Sequence, residues 1–537
     1  MRISTQQLQL TGINAILDRQ SEVSRTQNQL ATGKRILSPA DDPAGAASIE
    51  NFRQAIGRTE QYQDNIVLAR QRLQIEESKL GSVTLIMPRI RQLAIQGNND
   101  TLTNVDRRSI ASEVRQRLDE MLAIANTKDA NGEYIFSGFQ GKTQPFSQDA
   151  NGNFIYSGDQ GQRFLQVNQS RQIADRDSGA EVFQVIRNGN GAFTTQDNTA
   201  NTGTGIIDPG SVTDPTLYDG DTYTLRAVDN AGVTTGGGVG TITDDAVAPE
   251  IDNALEYRLV INGQTVYTQN EGDAPLADPT AVRDAINGAA DANVALTGVR
   301  AYVDTSTNQL YLSREPASTT AITVVETLID TGAAAIDAND NVTGYFGSSL
   351  VGDGTDTVSN TVTFSGEADS YLVLDSGSNV ETSGAYQEGS QIAFNGIATD
   401  LTGTPNNGDS FTISPSANQD IFTILENLAT ALEGGLSGSA SDTTSFHNAM
   451  NRVLVDLEQA EEKILEVRGT VGSRLNVLDS QEGSNEDFII NLRASLANIE
   501  ELDFAEATGR FNLQMVGLEA AQQVYVRVQG LSLFNFI

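Results

Sequence analysis

The strongest constraint on this chain is a heptad register that occurs once near each end. From Phe52, steps of three and four reach Ala55, Thr59, Tyr62, Ile66, Ala69, Leu73, Glu76, Leu80, Val83, Met87 and Ile90, a seam broken only at Thr59 and Glu76. A helix with such a seam needs a facing helix to cover its apolar stripe. Phe446, Met450, Val453, Leu457, Ala460, Ile464, Val467, Val471, Arg474 and Leu478 keep the same period near the other end, with only Arg474 polar. Each seam is the natural partner of the other. A helix from Phe52 to Ile90 would be about 58 Å long at 1.5 Å per residue, longer than an ordinary globular helix. The expected fold is α+β: a long antiparallel, coiled-coil-like helical rod formed from both chain ends, with a mainly β central insertion.

Local signals set the helix boundaries. Residues 1–33 read as a first helix with Ile13, Ile16, Val23 and Leu30 on one stripe, but Gln9, Gln20 and Gln27 occupy the alternating seam positions. Thr32-Gly33-Lys34-Arg35 ends it, since glycine suits the left-handed C-cap and cations favour the negative end of the helix dipole. In the connector Ser38-Pro39-Ala40-Asp41-Asp42-Pro43, Asp41 or Asp42 is placed to cap the next helix, with Pro43 at its first position. Pro88 interrupts the long helical pattern. Gln96 to Asp100 is a turn, and Thr103 with Asp106 resembles a capping box. A third helix follows with the stripe Ala111, Val114, Leu118, Met121 and Ala125, and it stops before Asn131-Gly132.

At Tyr134 the apolar period changes to two. Tyr134–Phe136, Asn153–Tyr156, Tyr223–Leu225, Tyr257–Ile261 and Phe411–Ile413 read as short strands between Gly, Asn and Asp clusters. Residues 220–225 and 408–413 share one pattern, an aromatic and an aliphatic at alternating positions after a Gly-Asp turn. It is either a weak duplication or a chance recurrence of a common strand entry. The domain expectation is threefold: residues 1–43 with 495–537 as a terminal helical assembly domain, 44–175 with 408–494 as the helical rod with a small β element, and 176–407 as an acidic, mainly β outer insertion.

Charge separates these parts. Residues 143–449 hold 9 Arg, no Lys and 40 acidic residues, a net of −31 out of −36 for the 537-residue chain. Such a field repels phosphate backbones and anionic head groups, so neither nucleic acid nor membrane is an expected partner. No Cys occurs, which removes disulfides and thiolate metal sites. The start, MRISTQQLQL, lacks the apolar core of a secretory signal, so export would take a signal-peptide-independent route. His447 is the single histidine and reads as structural beside Phe446. The Asp-rich turn from Gly352 to Asp356 lacks the repeat or closing Glu of a calcium loop, and the glycines of 232–240 lack the lysine of a phosphate cradle. No catalytic residue, metal site or cofactor is expected.

The last 27 residues carry only Glu519 and Arg527 as charges. Their apolar residues cover more than one face, and a helix apolar nearly all round must be buried on nearly all sides. The polar first helix cannot bury it alone, so neighbouring copies of the chain are the expected cover. The candidate subunit-interface residues are Ile13, Ile16, Val23, Leu30, Phe511, Leu518, Val524, Tyr525, Val528, Leu531 and Phe534.

Leu30 to Ile36 followed by Asp41 to Ala47 resembles the amino-terminal signature of the bacterial flagellin superfamily, and Pro88 to Gln96 resembles its second block. Met1 to Thr5, Gly132 to Gly138 running to Pro145-Phe146, and Gly530 to Ile537 are similar to the branch that forms the junction between hook and filament. The resemblance covers roughly the first 165 and last 130 residues. It implies a secreted, extracellular structural protein with no enzymatic activity, exported by the flagellar type III apparatus. The implied role is an adaptor ring that links the first hook-associated protein to flagellin, with the β insert pointing outward. The implied partners are copies of itself, those two proteins and a cytoplasmic export chaperone. The alternative is flagellin itself, the bulk filament subunit.

Overall fold

The computed structural model describes residues 5–233, 241–242, 255–292, 298–314, 320–332, 336, 340–364, 366–436 and 438–530. Its helices are α1 (Thr5–Thr32), α2 (Pro43–Gly97), α3 (Asn104–Ala125), α4 (Gly179–Phe183), α5 (Pro279–Ala292), α6 (Ile421–Gly434), α7 (Ala440–Glu500) and α8 (Phe504–Gly530). Two compact units divide the chain: residues 1–77, 162–176 and 470–537 form one, and residues 78–161 and 177–469 the other.

The first unit comprises α1, α8, the amino-terminal part of α2, the carboxy-terminal part of α7 and a small hairpin, Phe164–Asn168 with Arg171–Ala174. Ile66, Ala69 and Leu73 of α2 and Val471 and Leu478 of α7 are fully or almost fully buried, as their seam requires. The two polar seam positions are also buried: Thr59 folds its hydroxyl onto Ala55 O at 2.9 Å, and Glu76 is fully enclosed. The helices run antiparallel. Arg493 reaches Glu60 at 2.7 Å, and Arg70 reaches Asp479 at 2.9 Å and Glu482 at 2.5 Å. The hairpin is held by side-chain amides, Asn65 donating to Gln166 O and Asn485 to Val167 O. Arg72 and Arg163 both donate to the buried Asp175 carboxylate.

In the second unit the same seam continues through Leu80, Val83, Met87 and Ile90 of α2 and Met450, Val453, Leu457, Ala460, Ile464 and Val467 of α7, all buried. The expected capping box opens α3: Thr103 accepts from Asp106 N while Asp106 accepts from Thr103 N. All five of the predicted stripe residues of α3 are buried, and α3 packs on α6. Pro88 lies on an exposed position inside α2, where the helix continues to Gly97. Gly97 is needed there: a Cβ would stand 2.4 Å from Leu432 Cδ2. His447 ties α7 to the α2–α3 turn, with Nδ1 2.7 Å from Asn98 Oδ1 and Nε2 2.8 Å from Asp100 Oδ1.

The β part of this unit is antiparallel at every pairing among the described residues. One sheet orders its strands 264–270, 255–261, 322–330, 357–364. A larger one runs 299–304, 309–314, 223–230, 370–374, 380–385, with 410–415 added beside 223–230 and 193–197 beside 410–415. Four of the five predicted strands lie in described strands; Tyr134–Phe136 does not. Only Tyr134 forms a bridge, to Lys128, and Ile135 and Phe136 turn inward to the core, because Gly138 at φ +66° bends the chain before a ladder extends. The two similar segments turn out to be neighbours: Phe411 pairs with Leu225 and Ile413 with Tyr223.

Candidate assembly surface

The first unit brings the chain's two terminal helices together. α1 and α8 pack antiparallel: Thr26 Oγ1 donates to Gln514 Oε1 at 2.7 Å, the Tyr525 ring lies against Gly12, and the Phe504 ring lies against Gly33. Gly33 ends α1 in the left-handed region, at φ +69°, as its place in the sequence predicts.

The cations beyond Gly33 serve a different helix from the one they follow. Arg35 donates from Nε and Nη2 to Ile499 O, at 3.1 and 2.9 Å, and so satisfies a carbonyl in the last turn of α7. Lys34 and Arg53 converge on Glu500 at 2.5 and 2.6 Å. Those two neighbours, Lys34 first, hold the Glu500 carboxyl below the usual range for a glutamate. Arg35 N to Glu500 O (2.7 Å) and Leu502 N to Gly33 O (3.0 Å) add a short backbone clasp. Asp42 caps α2 by accepting from Gly45 N, and Asp41 accepts from Leu37 N and Ser38 N, which keeps its carboxyl low. The exit from α1 and the entry to α8 are therefore fixed to the same end of α7.

Beyond this clasp the pair buries little. Val23, Thr26, Gln29 and Ala507 are enclosed. Of the candidate interface residues, Val23 is buried within the chain, Ile16, Leu30, Phe511, Leu518 and Tyr525 are half-buried, and Ile13 and Val524 are exposed. Val528 lies in α8 with its side chain outside the description, and Leu531 and Phe534 lie outside the described residues. Other apolar side chains are exposed besides Val524: Leu10 and Leu17 on α1, and Leu513 (76 %), Val516 (64 %) and Val526 (65 %) on α8. Leu10, Ile13 and Leu17 repeat at three and four, a second stripe readable in the sequence but offset from the one chosen. On α8 no periodicity separates the inner face from the outer, since apolar residues occupy both.

This geometry leaves apolar side chains of both terminal helices exposed, and no group of His, Cys, Asp and Glu among the described residues is arranged to hold a metal ion. No described helix is long and apolar enough to cross a membrane.

Residues 3–141 match the family described as the bacterial flagellin N-terminal helical region. Flagellar hook-associated protein 3 of Escherichia coli (strain K12) is 33 % identical over 186 residues, 35 % of this chain and 58 % of that protein. The chain thus aligns with little over half the length of this curated relative. A flagellin of Clostridium tyrobutyricum is 36 % identical over 118 residues, 22 % of this chain and 31 % of that one. In structure, flagellar hook-associated protein 3 from Legionella pneumophila covers 84 % of this chain and 98 % of its own, with a TM-score of 0.54 at 26 % identity. Terminal helices joined to a central antiparallel β insertion are the fold that this chain shares with the Legionella pneumophila protein, and its residues 3–141 are a flagellin-type N-terminal helical region.

Proposed function

We propose that this protein is a structural element of the extracellular bacterial flagellum: an adaptor ring at the hook–filament junction that links the first hook-associated protein to flagellin. The observation that carries this reading is the α1–α8 pair, tied to the end of α7 yet leaving Leu10, Leu17, Leu513, Val516 and Val526 in solvent. An apolar surface of that kind calls for burial against other subunits. The likeness to hook-associated protein 3 supports a place in the flagellum.

In this reading residues 1–43 and 495–537 form the assembly layer, with Ile13, Ile16, Val23, Leu30, Phe511, Leu518, Val524, Tyr525, Val528, Leu531 and Phe534 at or near subunit contacts. Residues 44–175 and 408–494 are the rod, and 176–407 point outward. A cytoplasmic chaperone covers the C-terminal helix before export. The role is mechanical and needs no cofactor.

A deletion strain tests it. Cells that bear hooks without filaments and shed flagellin into the medium support the junction role, and normal filaments overturn it. In purified flagella the protein should amount to a turn or two of subunits per filament; a protein that dominates the mass is filament flagellin instead.

A further inference from the structure

The four-stranded sheet of the insertion has two edges, Gln264–Asn270 and Thr357–Phe364, and among the described residues no further strand pairs with either. Exposed edges are a template for another chain, and proteins ordinarily blunt them with charge, proline or a bulge. The larger sheet follows that rule: Arg300 and Asp304 lie on one edge strand, Glu381 on another and Asp197 on the strand at the end of its branch.

The four-stranded sheet keeps only one of those devices, a bulge where the 264–270 strand shifts register between Leu259 and Val260. Neither QTVYTQN nor TVSNTVTF contains a charge, a proline or a glycine. The charges sit on the two inner strands, where Glu256 pairs with Arg258 and Glu326 is enclosed by Tyr257 and Ser348. Thr357–Ile329 through Phe364–Ile322 is an unbroken ladder of eight pairs with no bulge. Thr357, Ser359, Asn360, Thr361 and Thr363 are exposed. Within residues 143–449, which carry −31, these two strands hold no charge of their own to repel another copy.

Strand direction supplies the mode. The three successive pairings are antiparallel, so the two edge strands run in opposite directions. A neighbouring copy repeated along the sheet therefore presents its 264–270 edge antiparallel to the 357–364 edge of the first. We propose that the insertions of adjacent copies join head to tail through these edges, continuing one sheet from subunit to subunit. Such a heterologous contact closes only if the copies form a ring, so the inference rests on the ring proposed above.

The chain has no cysteine, so introduced thiols are the only ones. Directly opposed residues on antiparallel strands have Cα atoms about 4.5–5.5 Å apart, within disulfide reach. Full-length protein carrying Thr361→Cys with either Thr265→Cys or Thr268→Cys is assembled on hooks and exposed to a mild oxidant. A ladder of cross-linked oligomers from a double variant, with none from any single variant, is expected. Adding Ser359→Lys to the double variant should cut the ladder about tenfold without moving the monomer's melting transition. Dimers from Thr361→Cys alone would show that like edges meet, and overturn the head-to-tail contact. No cross-link from either double variant, in junctions that contain the protein, overturns the inference and leaves the ring intact. Junctions lacking the protein overturn both.

Discussion

Replacing Leu513 and Val516 by alanine separates assembly from folding. Leu513 is 76 % exposed and Val516 64 % exposed, so in the free chain neither side chain contributes much burial. Alanine removes three carbons from the first and two from the second, each worth about 0.8 kcal/mol when fully buried. Scaled by the fraction still open, the two substitutions together withhold about 3 kcal/mol from a contact that covers this face, or roughly a hundredfold in affinity. Alanine is also the better helix former, so α8 gains slightly in the monomer. The assay compares the concentration needed for addition to purified hooks with the melting transition of the free protein. A large rise in that concentration with an unchanged melting temperature is expected. A monomer destabilised by several degrees, or assembly at the wild-type concentration, would refute the argument that α8 keeps this face for other subunits.

In the rod, Leu73→Ala leaves a cavity at a fully buried seam position and should cost about 2–5 kcal/mol, read as a lower urea midpoint. Glu500→Gln removes a partner of both Lys34 and Arg53 and should cost about 1 kcal/mol or less at neutral pH. Because the Glu500 carboxyl is held below its ordinary value of 4.5, its contribution is complete above that pH and is lost as pH falls through the lower folded value. The variant and the wild type should therefore converge in strong acid, and a gap that persists there would contradict the ion-pair assignment. Asp229 behaves oppositely: burial pushes its carboxyl up to about 6. The folded state then holds a proton that the unfolded state releases above about 4, so the stability of the insertion falls as pH rises from 4 to 6. Asp229→Asn should flatten that fall in a thermal-melt series.

Much of the helical part was legible in the sequence because its signals are local. The two heptad seams, the stop at Gly33, the Asp42 and Thr103 caps and the α3 stripe each depend on residues within a few turns of one another. Thr59 and Glu76 were legible as breaks in a seam, though not as residues buried in it. What failed locally was Tyr134–Phe136, where the alternating pattern is real but Gly138 turns the chain before a partner strand is reached. What could not be read locally was partnership. Lys34 and Arg35 follow α1 and look like its C-terminal cations, yet they close α7, whose end arrives from more than 450 positions away.

The candidate surface divides the same way. Composition alone determined that the terminal helices carry more apolar area than a single polar partner covers, since charge and hydropathy are fixed by the residues themselves. Only the tertiary structure decided which side chains remain outside: Val23 is enclosed by the chain, whereas Leu513 and Val516 are left open. The reason is geometric. α8 is apolar on several faces, so no period marks one of them as inner, and the choice falls to the direction in which the clasp at Gly33, Glu500 and Leu502 sets α8 against α1.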